Sequence, residues 1–332
     1  MKTDSKIIVL TPIKNESWIL KQFLTITSLF ADHIIIADQG STDESKFICS
    51  QFEKVHLINN EVTKFNESGR QVLLIEMARS LFKNQKIVLL ALDADEIFSA
   101  NSLYAESVWE QIKSYPKGTT IYFEKPDLLP GVKKCVRYLD NFFPIGYVDD
   151  GIPHHPSLIH SQRIPRNDYG EKLFVDEIKI LHFAHTRRNV QSSKLRYYSV
   201  IENIKKTTPV YSRRARYKCY FDEKFFYGKK EFEIIPQNWL KEWDDRRIIL
   251  NNFEDPFFSW YDFEVLSYFK EFGAAKFHWD NIWCFDWETC RHKGIKEGKD
   301  APDKKIHRPN ILKIKMGRAM DLFYRFYKYI KN

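Results

Sequence analysis

Two acidic residues with one residue between them follow the tightest apolar run of the chain. The run extends from Ile87 to Leu92, and Asp93 and Asp95 come directly after it. Side chains two positions apart on a strand point to the same face, so both carboxylates could approach one ligand. Neighbouring carboxylates repel each other unless a cation or a proton lies between them. The spacing therefore indicates a hard divalent cation that bridges to diphosphate oxygens, and a solvated acidic turn is the alternative.

A third carboxylate, Asp38, ends another apolar run, Ile34 to Ala37, and precedes a segment with the composition of a turn. At a strand end this carboxylate could accept hydrogen bonds from a nucleobase or a ribose hydroxyl. Gly40 would permit a tight turn beside such a ligand. The alternative is a plain turn that leads into a helix capped by Ser41 or Thr42.

The first part of the chain alternates strand-like and helix-like segments. This alternation predicts an α/β fold with a mostly parallel sheet, and we expect Asn15 to cap the first helix. Ligands of such sheets bind beyond the carboxyl ends of the strands, where the polar segments 11–16, 38–43 and 93–96 all lie. The strand-like runs are residues 7–10, 34–37, 55–58 and 87–92.

Three motifs in this order resemble glycosyltransferase family 2 over about residues 5–100. They are Thr11-Pro12-Ile13-Lys14-Asn15-Glu16, the segment 31–43 that ends in Asp38-Gln39-Gly40-Ser41-Thr42-Asp43, and Leu92-Asp93-Ala94-Asp95-Glu96. The resemblance implies a GT-A type, Rossmann-like sheet flanked by helices. It also implies an inverting hexosyltransferase that uses a nucleotide-diphosphate sugar, most simply a UDP-sugar, with Mn²⁺ or Mg²⁺ as cofactor.

The resemblance further implies roles for single residues. It places Asp93 by the ribose or the metal, and it makes Asp95 a metal ligand. For Arg70 a solvated charge at a helix start is the alternative. The residues implied to border the nucleotide are Thr11, Pro12, Glu16, Asp38 and Arg70.

His182 follows the apolar run Ile178 to Leu181 and resembles the late histidine that often adds a metal ligand in GT-A enzymes. An imidazole ligand would favour Mn²⁺ over Mg²⁺. The alternative is a structural histidine, and His185 is a weaker candidate for the same role.

The catalytic base should come from the less regular second half, because it must face the acceptor hydroxyl. Asp176, Glu177 and Asp150 are the candidates, together with Asp149. Family members carry a Glu-Asp pair in the acceptor region, whereas this chain has Asp176-Glu177 in reversed order. The Gln-x-x-Arg-Trp motif of processive members is missing from the sequence, so we predict transfer of a single sugar.

The remaining sequence predicts a domain order. Residues 1–206 are expected to form the nucleotide-sugar-binding catalytic domain, in which 126–176 form long loops. Residues 207–303, rich in aromatics, are expected to form an acceptor-side or lid region, with plain core packing as the alternative. Residues 304–332 hold nine Lys/Arg and one acid, Asp321, and predict a basic amphipathic helix. That helix either docks on the domain or makes a peripheral membrane contact.

Composition limits the function classes. No apolar run is long enough to span a bilayer. Five widely separated cysteines indicate reduced thiols in a cytosolic protein. If the tail binds the membrane, the protein is expected at its inner face. The net charge of +8 allows an anionic partner. The sequence has no nucleic-acid-binding signature, so we expect no nucleic acid to bind. A nucleotidyltransferase is the enzyme alternative, although residues 11–16 lack its glycine-rich loop. The resemblance to glycosyltransferase family 2 implies a saccharide or lipid-linked acceptor in surface polysaccharide or lipopolysaccharide synthesis.

Overall fold

The structure is a computed structural model that describes residues 5–60, 67–138, 142–156, 162–223, 227–228, 230 and 232–331. The chain divides into two compact units. The first comprises residues 1–186 and 231–253, and the second comprises residues 187–230 and 254–332. This division differs from the predicted boundary at residue 206, because the helix over residues 188–205 belongs to the second unit and residues 231–253 return to the first.

The first unit is built on a mixed, mostly parallel sheet. Its described strands run in the spatial order β11-β8-β7-β10-β6-β9-β4-β1-β2-β3, and β5 pairs with β10 beside this path. The parallel group β4-β1-β2-β3 confirms the α/β fold predicted from the alternating pattern. The strands are β1 Lys6–Ile13, β2 His33–Asp38, β3 Val55–Asn59, β4 Ile87–Ala91, β5 Glu96–Phe98, β6 Thr120–Glu124, β7 Asp127–Leu128, β8 Lys134–Val136, β9 Phe142–Val148, β10 Lys172–His182 and β11 Glu233–Ile234.

Helices cover both faces of the parallel strands. Ile8 and Leu10 of β1 pack with Leu74 on one face, whereas Val9 packs in a cluster with Phe23 on the other. Alternate residues of one strand are thus buried on both sides, which explains its continuous apolar sequence. The helices of the first unit are α1 Ser17–Thr27, α2 Ser45–Ser50, α3 Glu67–Leu81, α4 Glu106–Ser114 and α7 Lys241–Asp245.

The prediction that residues 126–176 form long loops is wrong, because this segment contributes four strands to the sheet. β9 lies between β4 and β6 and is antiparallel to both. Pro144 and Gly146 are residue types typical of loops, so the sequence of β9 does not indicate a strand. Gly146 is required by packing: a Cβ there would come within 2.8 Å of Leu90 Cδ2 and 2.9 Å of Ile121 Cβ. Tertiary packing therefore produces a strand here, although the local sequence has a low strand propensity.

The second unit is helical and has its own buried polar contacts. Arg196 lies in the interior, where its guanidinium donates to both carboxylate oxygens of Asp262 at 2.9 and 3.1 Å. Cys219 and Cys284 form a disulfide, and their Cα atoms lie 6.3 Å apart. The prediction that all five thiols are reduced is therefore wrong for this pair, because the fold brings together two cysteines that are distant in sequence. The helices of this unit are α5 Arg188–Lys205, α6 Val210–Arg216, α8 Trp260–Phe272, α9 Trp287–Lys296 and α10 Ile311–Lys331.

Most tryptophans of the aromatic-rich segment are core residues in this structure. Trp243 is fully buried in the first unit, and Trp283 and Trp287 are buried in the second. Across the described part of the chain, no helix is both long and apolar enough to cross a bilayer.

Candidate active site

The carboxyl ends of three adjacent parallel strands bring the first predicted motifs to one edge of the sheet. Ile13 of β1 pairs with Asp38 of β2, and the Leu92 N–H donates to the Leu10 carbonyl at 3.1 Å just before the acidic turn. Thr11 is fully buried one position further along β1, and its hydroxyl has no hydrogen-bond partner among the described residues. The edge therefore carries polar groups from β1, β2 and β4 side by side.

Asp38 organises the turn that follows β2. Its side chain is 1% exposed, and both carboxylate oxygens accept from the Ser41 N–H at 3.1 and 3.2 Å. The ammonium group of Lys46 lies 3.3 Å from Asp38 Oδ2. Gly40 adopts φ = 74°, the left-handed conformation that glycine tolerates best. A tight turn thus exists at this strand end, and Asp38 holds it.

Arg70 reaches the same turn from α3. Its Nη1 donates to Gln39 Oε1 at 2.6 Å, which places the guanidinium beside the residue after Asp38. This contact shows that Arg70 is not simply a solvated charge at a helix start. The structure therefore brings Arg70 and Asp38 to neighbouring positions, as the nucleotide-binding prediction requires.

The loop after β1 is tied to the loop after β2. Asn15 has φ = 57° and accepts from the Thr42 N–H at 2.7 Å, so it does not cap α1 as predicted. Asp43 caps that helix instead, accepting from the Ser17 N–H at 3.0 Å. The Glu16 carboxylate accepts from Trp18 Nε1 at 2.7 Å. These cross-links fix the two loops that border the predicted nucleotide site, including Pro12 at the end of β1.

The acidic turn does not place Asp93 and Asp95 on a common partner. Asp93 Oδ2 lies 2.7 Å from Arg163 Nη2, and the same guanidinium contacts the fully buried Glu96 at 2.5 Å. Lys125 also binds Glu96, at 2.9 Å. Burial would raise the pKa of Glu96, but the positive charges of Arg163 and Lys125 outweigh it and hold this pKa well below its usual value. Asp93 and Glu96 are thus anions compensated by basic side chains.

Asp95 faces a histidine. β5 follows the acidic turn and pairs antiparallel with β10, so Glu96 lies opposite His182 and the Phe183 N–H donates to the Asp95 carbonyl at 2.8 Å. This pairing brings His182 Nε2 to 4.0 Å from Asp95 Oδ2. Asp95 and His182 are two of the three metal ligands that the sequence predicted, together with Asp93, and the fold brings these two within 4.0 Å of each other.

Asp127, which the sequence analysis did not single out, holds this histidine from behind. Its Oδ1 lies 2.6 Å from His182 Nδ1, and Tyr138 donates to its Oδ2 at 2.6 Å. Burial would raise the pKa of Asp127, but the hydrogen bond and positive charge of His182 lower it well below its usual value. This contact orients the ring, so that Nδ1 faces Asp127 and Nε2 faces Asp95.

The geometry of Asp95 and His182 fits a divalent cation. Ligand atoms about 2.0–2.2 Å from an ion lie roughly 3–4 Å from each other, which includes the 4.0 Å separation seen here. A second arrangement is also possible, since one ligand atom from each of Asp127, His182 and His185 lies within 4.8 Å of the others. We favour the first, because Asp127 contacts Nδ1 of His182 while Nε2 of the same ring faces Asp95.

The structure does not bring the three predicted catalytic carboxylates to this cluster. Asp176 and Glu177 lie in an irregular stretch of β10, five or six positions before His182, or up to about 20 Å along an extended strand. Asp176 is 76% exposed and contacts Lys179 at 2.5 Å. Both carboxylates are exposed, because they lie in the irregularity of β10 between Val175 and Lys179, and this placement does not support the analogy with a Glu-Asp pair.

Asp150 lies at the opposite edge of the sheet. β9 runs antiparallel to β4, so its end, Val148, lies beside Val88 at the start of β4. The neighbouring candidate, Asp149, is held by Arg79 Nη2 at 2.7 Å. Neither carboxylate therefore faces Asp95, which follows the other end of β4.

Comparison with known proteins identifies the first unit. Residues 8–123 match the model of glycosyl transferase family 2. This segment contains β1 to β6 and the acidic turn described above. Residues 8–123 are therefore a family 2 glycosyltransferase domain with a GT-A type fold. No curated protein matches the chain.

Solved structures give weaker similarities. One is 4-diphosphocytidyl-2C-methyl-D-erythritol synthase, with 15% identity and a TM-score of 0.29 over 43% of this chain and 75% of that chain. Another is glucosyl-3-phosphoglycerate synthase from Mycobacterium tuberculosis in complex with Mn²⁺, UDP and glucosyl-3-phosphoglycerate, with 18% identity and a TM-score of 0.25. That similarity covers 37% of this chain and only 44% of the mycobacterial chain. Overlaps this low do not decide the substrate.

Proposed function

We propose that the protein is a metal-dependent, inverting glycosyltransferase that moves one sugar from a nucleotide-diphosphate sugar, with UDP as the nucleotide, to a saccharide or lipid-linked acceptor. The observation that carries this proposal is the pair Asp95 and His182, whose ligand atoms face each other while Asp127 holds the ring from behind. The family resemblance alone supports a role in surface glycan synthesis.

In the proposed donor site, each motif at the carboxyl edge of the sheet has its own role. Asp38 would accept from the nucleobase while it holds its own turn, and Arg70 would lie against the nucleotide. Asp95 and His182 would hold Mn²⁺, or Mg²⁺ with lower preference, because an imidazole is among the ligands. Such an ion supplies Lewis-acid stabilisation of the charge on the leaving diphosphate. Arg163 and Lys125 would keep Asp93 and Glu96 neutralised around it.

Thermal unfolding against UDP, GDP, CDP and TDP, each with and without Mn²⁺, tests the donor site. A ligand at about 100 times its dissociation constant stabilises a protein by roughly 2.7 kcal/mol. That corresponds to a rise in Tm on the order of 5 °C for a chain of this size. We expect the shift with UDP, only when Mn²⁺ is present.

The variants for this test are Asp95→Ala and Asp176→Ala. Asp95→Ala should lose the Mn²⁺-dependent shift, whereas Asp176→Ala, whose side chain is 76% exposed, should keep it. A UDP shift that is equal with and without Mn²⁺ would disprove metal dependence. The anomeric configuration of the product, read by NMR, tests inversion.

A further inference from the structure

The outward face of α10 is apolar, although it is exposed. Its large apolar residues are between 49% and 73% exposed. At 100° per residue they span an arc of about 140° along one side of the helix, and Lys315 falls inside this arc. We call this the α10 apolar face: Ile311, Leu312, Met316, Leu322, Phe323 and Phe326.

The opposite face of α10 is anchored on α6 within the second unit. Arg214 donates to both oxygens of Asp321, at 2.9 and 3.0 Å, and to the Trp279 carbonyl at 2.8 Å. Gly317 lets the guanidinium lie against the helix, because a Cβ there would come within 2.8 Å of Arg214 Cζ. This anchor fixes the rotation of α10 and leaves the side of the helix opposite Asp321 and Gly317 exposed.

The charge around this face is strongly positive. Residues 304–332 carry nine Lys/Arg, and their single acid, Asp321, is already neutralised by Arg214. Lys315 lies within the apolar arc and Arg318 lies at its border, and both side chains are exposed. Long basic side chains beside exposed Leu and Phe are typical of helices that lie in the headgroup region of anionic bilayers. A nucleic acid would match the charge but not the apolar stripe.

An apolar pocket adjoins the same face. It has a volume of about 660 Å³ and lies between Tyr211, Trp279 and α10, whose Met316 and Phe323 line it. Since these two residues also belong to the α10 apolar face, the pocket extends the apolar surface inward. An interfacial helix gains affinity from the apolar area that it buries.

We propose that the α10 apolar face docks the protein on the surface of an anionic lipid bilayer, with the helix lying in the plane of the headgroups. No described helix is suited to spanning the bilayer, so this contact is peripheral. The proposal does not depend on the sugar nucleotide or on the metal. It would hold a lipid-linked acceptor and the enzyme on the same surface.

Flotation of the full chain with lipid vesicles tests the proposal. We expect binding to phosphatidylcholine vesicles that contain phosphatidylglycerol, weaker binding at high salt, and little binding to phosphatidylcholine alone. The double variant Lys315→Gln/Arg318→Gln should bind about 25-fold more weakly, at about fivefold per basic residue. Leu322→Ser/Phe326→Ser should lose binding to both kinds of vesicle.

The control variants are Phe47→Ser and Ile234→Ser, which replace apolar side chains that are 66% and 79% exposed elsewhere in the protein. Both should bind vesicles as the wild type does. All the substituted side chains are exposed, so Tm should stay unchanged, and the basic-residue variant serves if the apolar one fails to fold.

Three results would overturn the proposal. The first is no binding to anionic vesicles, and the second is equal binding to neutral and anionic vesicles. The third is self-association of the wild type without vesicle binding, where size exclusion shows that Leu322→Ser/Phe326→Ser no longer self-associates. That result would make the α10 apolar face an interface between two copies.

Discussion

Replacing Asp127 should weaken Mn²⁺ binding without removing a metal ligand. Asp127 lies 2.6 Å from His182 Nδ1 and orients Nε2 of the ring toward Asp95. Loss of such a supporting carboxylate typically weakens metal affinity 10–100-fold. This corresponds to about 1.4–2.7 kcal/mol.

The chemistry of the substitution sets where in that range each variant falls. Asp127→Asn keeps an oxygen for the imidazole N–H but loses the charge, and its amide would face the Tyr138 hydroxyl, so we expect about a 10-fold loss. Asp127→Ala leaves the N–H of His182 without its acceptor, so we expect about a 100-fold loss. It should also lower the free energy of unfolding by about 1–3 kcal/mol, because a buried donor loses its partner.

The assay is a titration of Mn²⁺ in the presence of UDP, with free Mn²⁺ followed by electron paramagnetic resonance. Asp95→Ala serves as the ligand knockout, and Asp176→Asn serves as the matched control on an exposed carboxylate. Unchanged Mn²⁺ affinity in Asp127→Ala would refute the positioning role.

A different result would reassign the ligands. If Asp127 binds the ion directly with His182 and His185, Asp127→Asn should abolish Mn²⁺ binding, while Asp95→Ala should leave it intact. The comparison of these two variants therefore separates the two metal arrangements that the geometry permits.

Three further predictions concern stability. Asp149→Ala should lower the free energy of unfolding by about 2–3 kcal/mol, because it leaves the Arg79 guanidinium without its partly buried partner, and kcat should stay near wild type; a loss of kcat with unchanged stability would make Asp149 catalytic after all. Trp243→Ala should cost about 3–5 kcal/mol in urea unfolding, since the fully buried indole also donates to the Phe98 carbonyl at 2.9 Å; a cost below about 1 kcal/mol would show that this packing is unimportant. Burial would raise the pKa of Glu202, but hydrogen bonds from Thr208 and Tyr217 lower it, so its contribution is present above its unfolded pKa of about 4.3 and is lost as pH falls through the lower folded pKa. The unfolding midpoint should therefore decrease as the pH is lowered below about 4.5, and this decrease should be less steep in Glu202→Gln. Equal pH dependence of the midpoint in the two proteins would count against this assignment.

The sequence predicted the parallel half of the sheet because its determinants are local. Each strand is a short apolar run followed by a polar turn, and Asp38 and Asp95 could be placed from those runs alone. His182 could be found in the same way, since it ends a buried strand. Position at the end of a strand is a property that a single sequence carries directly.

The rest of the site depends on pairing between distant segments. Asp127 lies in a strand of two residues, and Arg163 follows a segment with the composition of a loop. Their roles become visible only when β5 and β7 both pair with the end of β10. The one local signal was that Pro126-Asp127 follows the apolar run of β6, another polar strand end of the kind that identified Asp38.

The fold distributes charge unequally among the four carboxylates around the acidic turn. Arg163 binds both Asp93 and Glu96, and Asp127 accepts from His182 and Tyr138. Asp95 instead faces Nε2 of His182, whose Nδ1 contacts Asp127. Two Lewis bases 4.0 Å apart repel unless a cation or a proton lies between them. Because Asp127 holds the ring from behind, His182 Nε2 and Asp95 Oδ2 are oriented toward each other, and the proposed divalent cation would bind both.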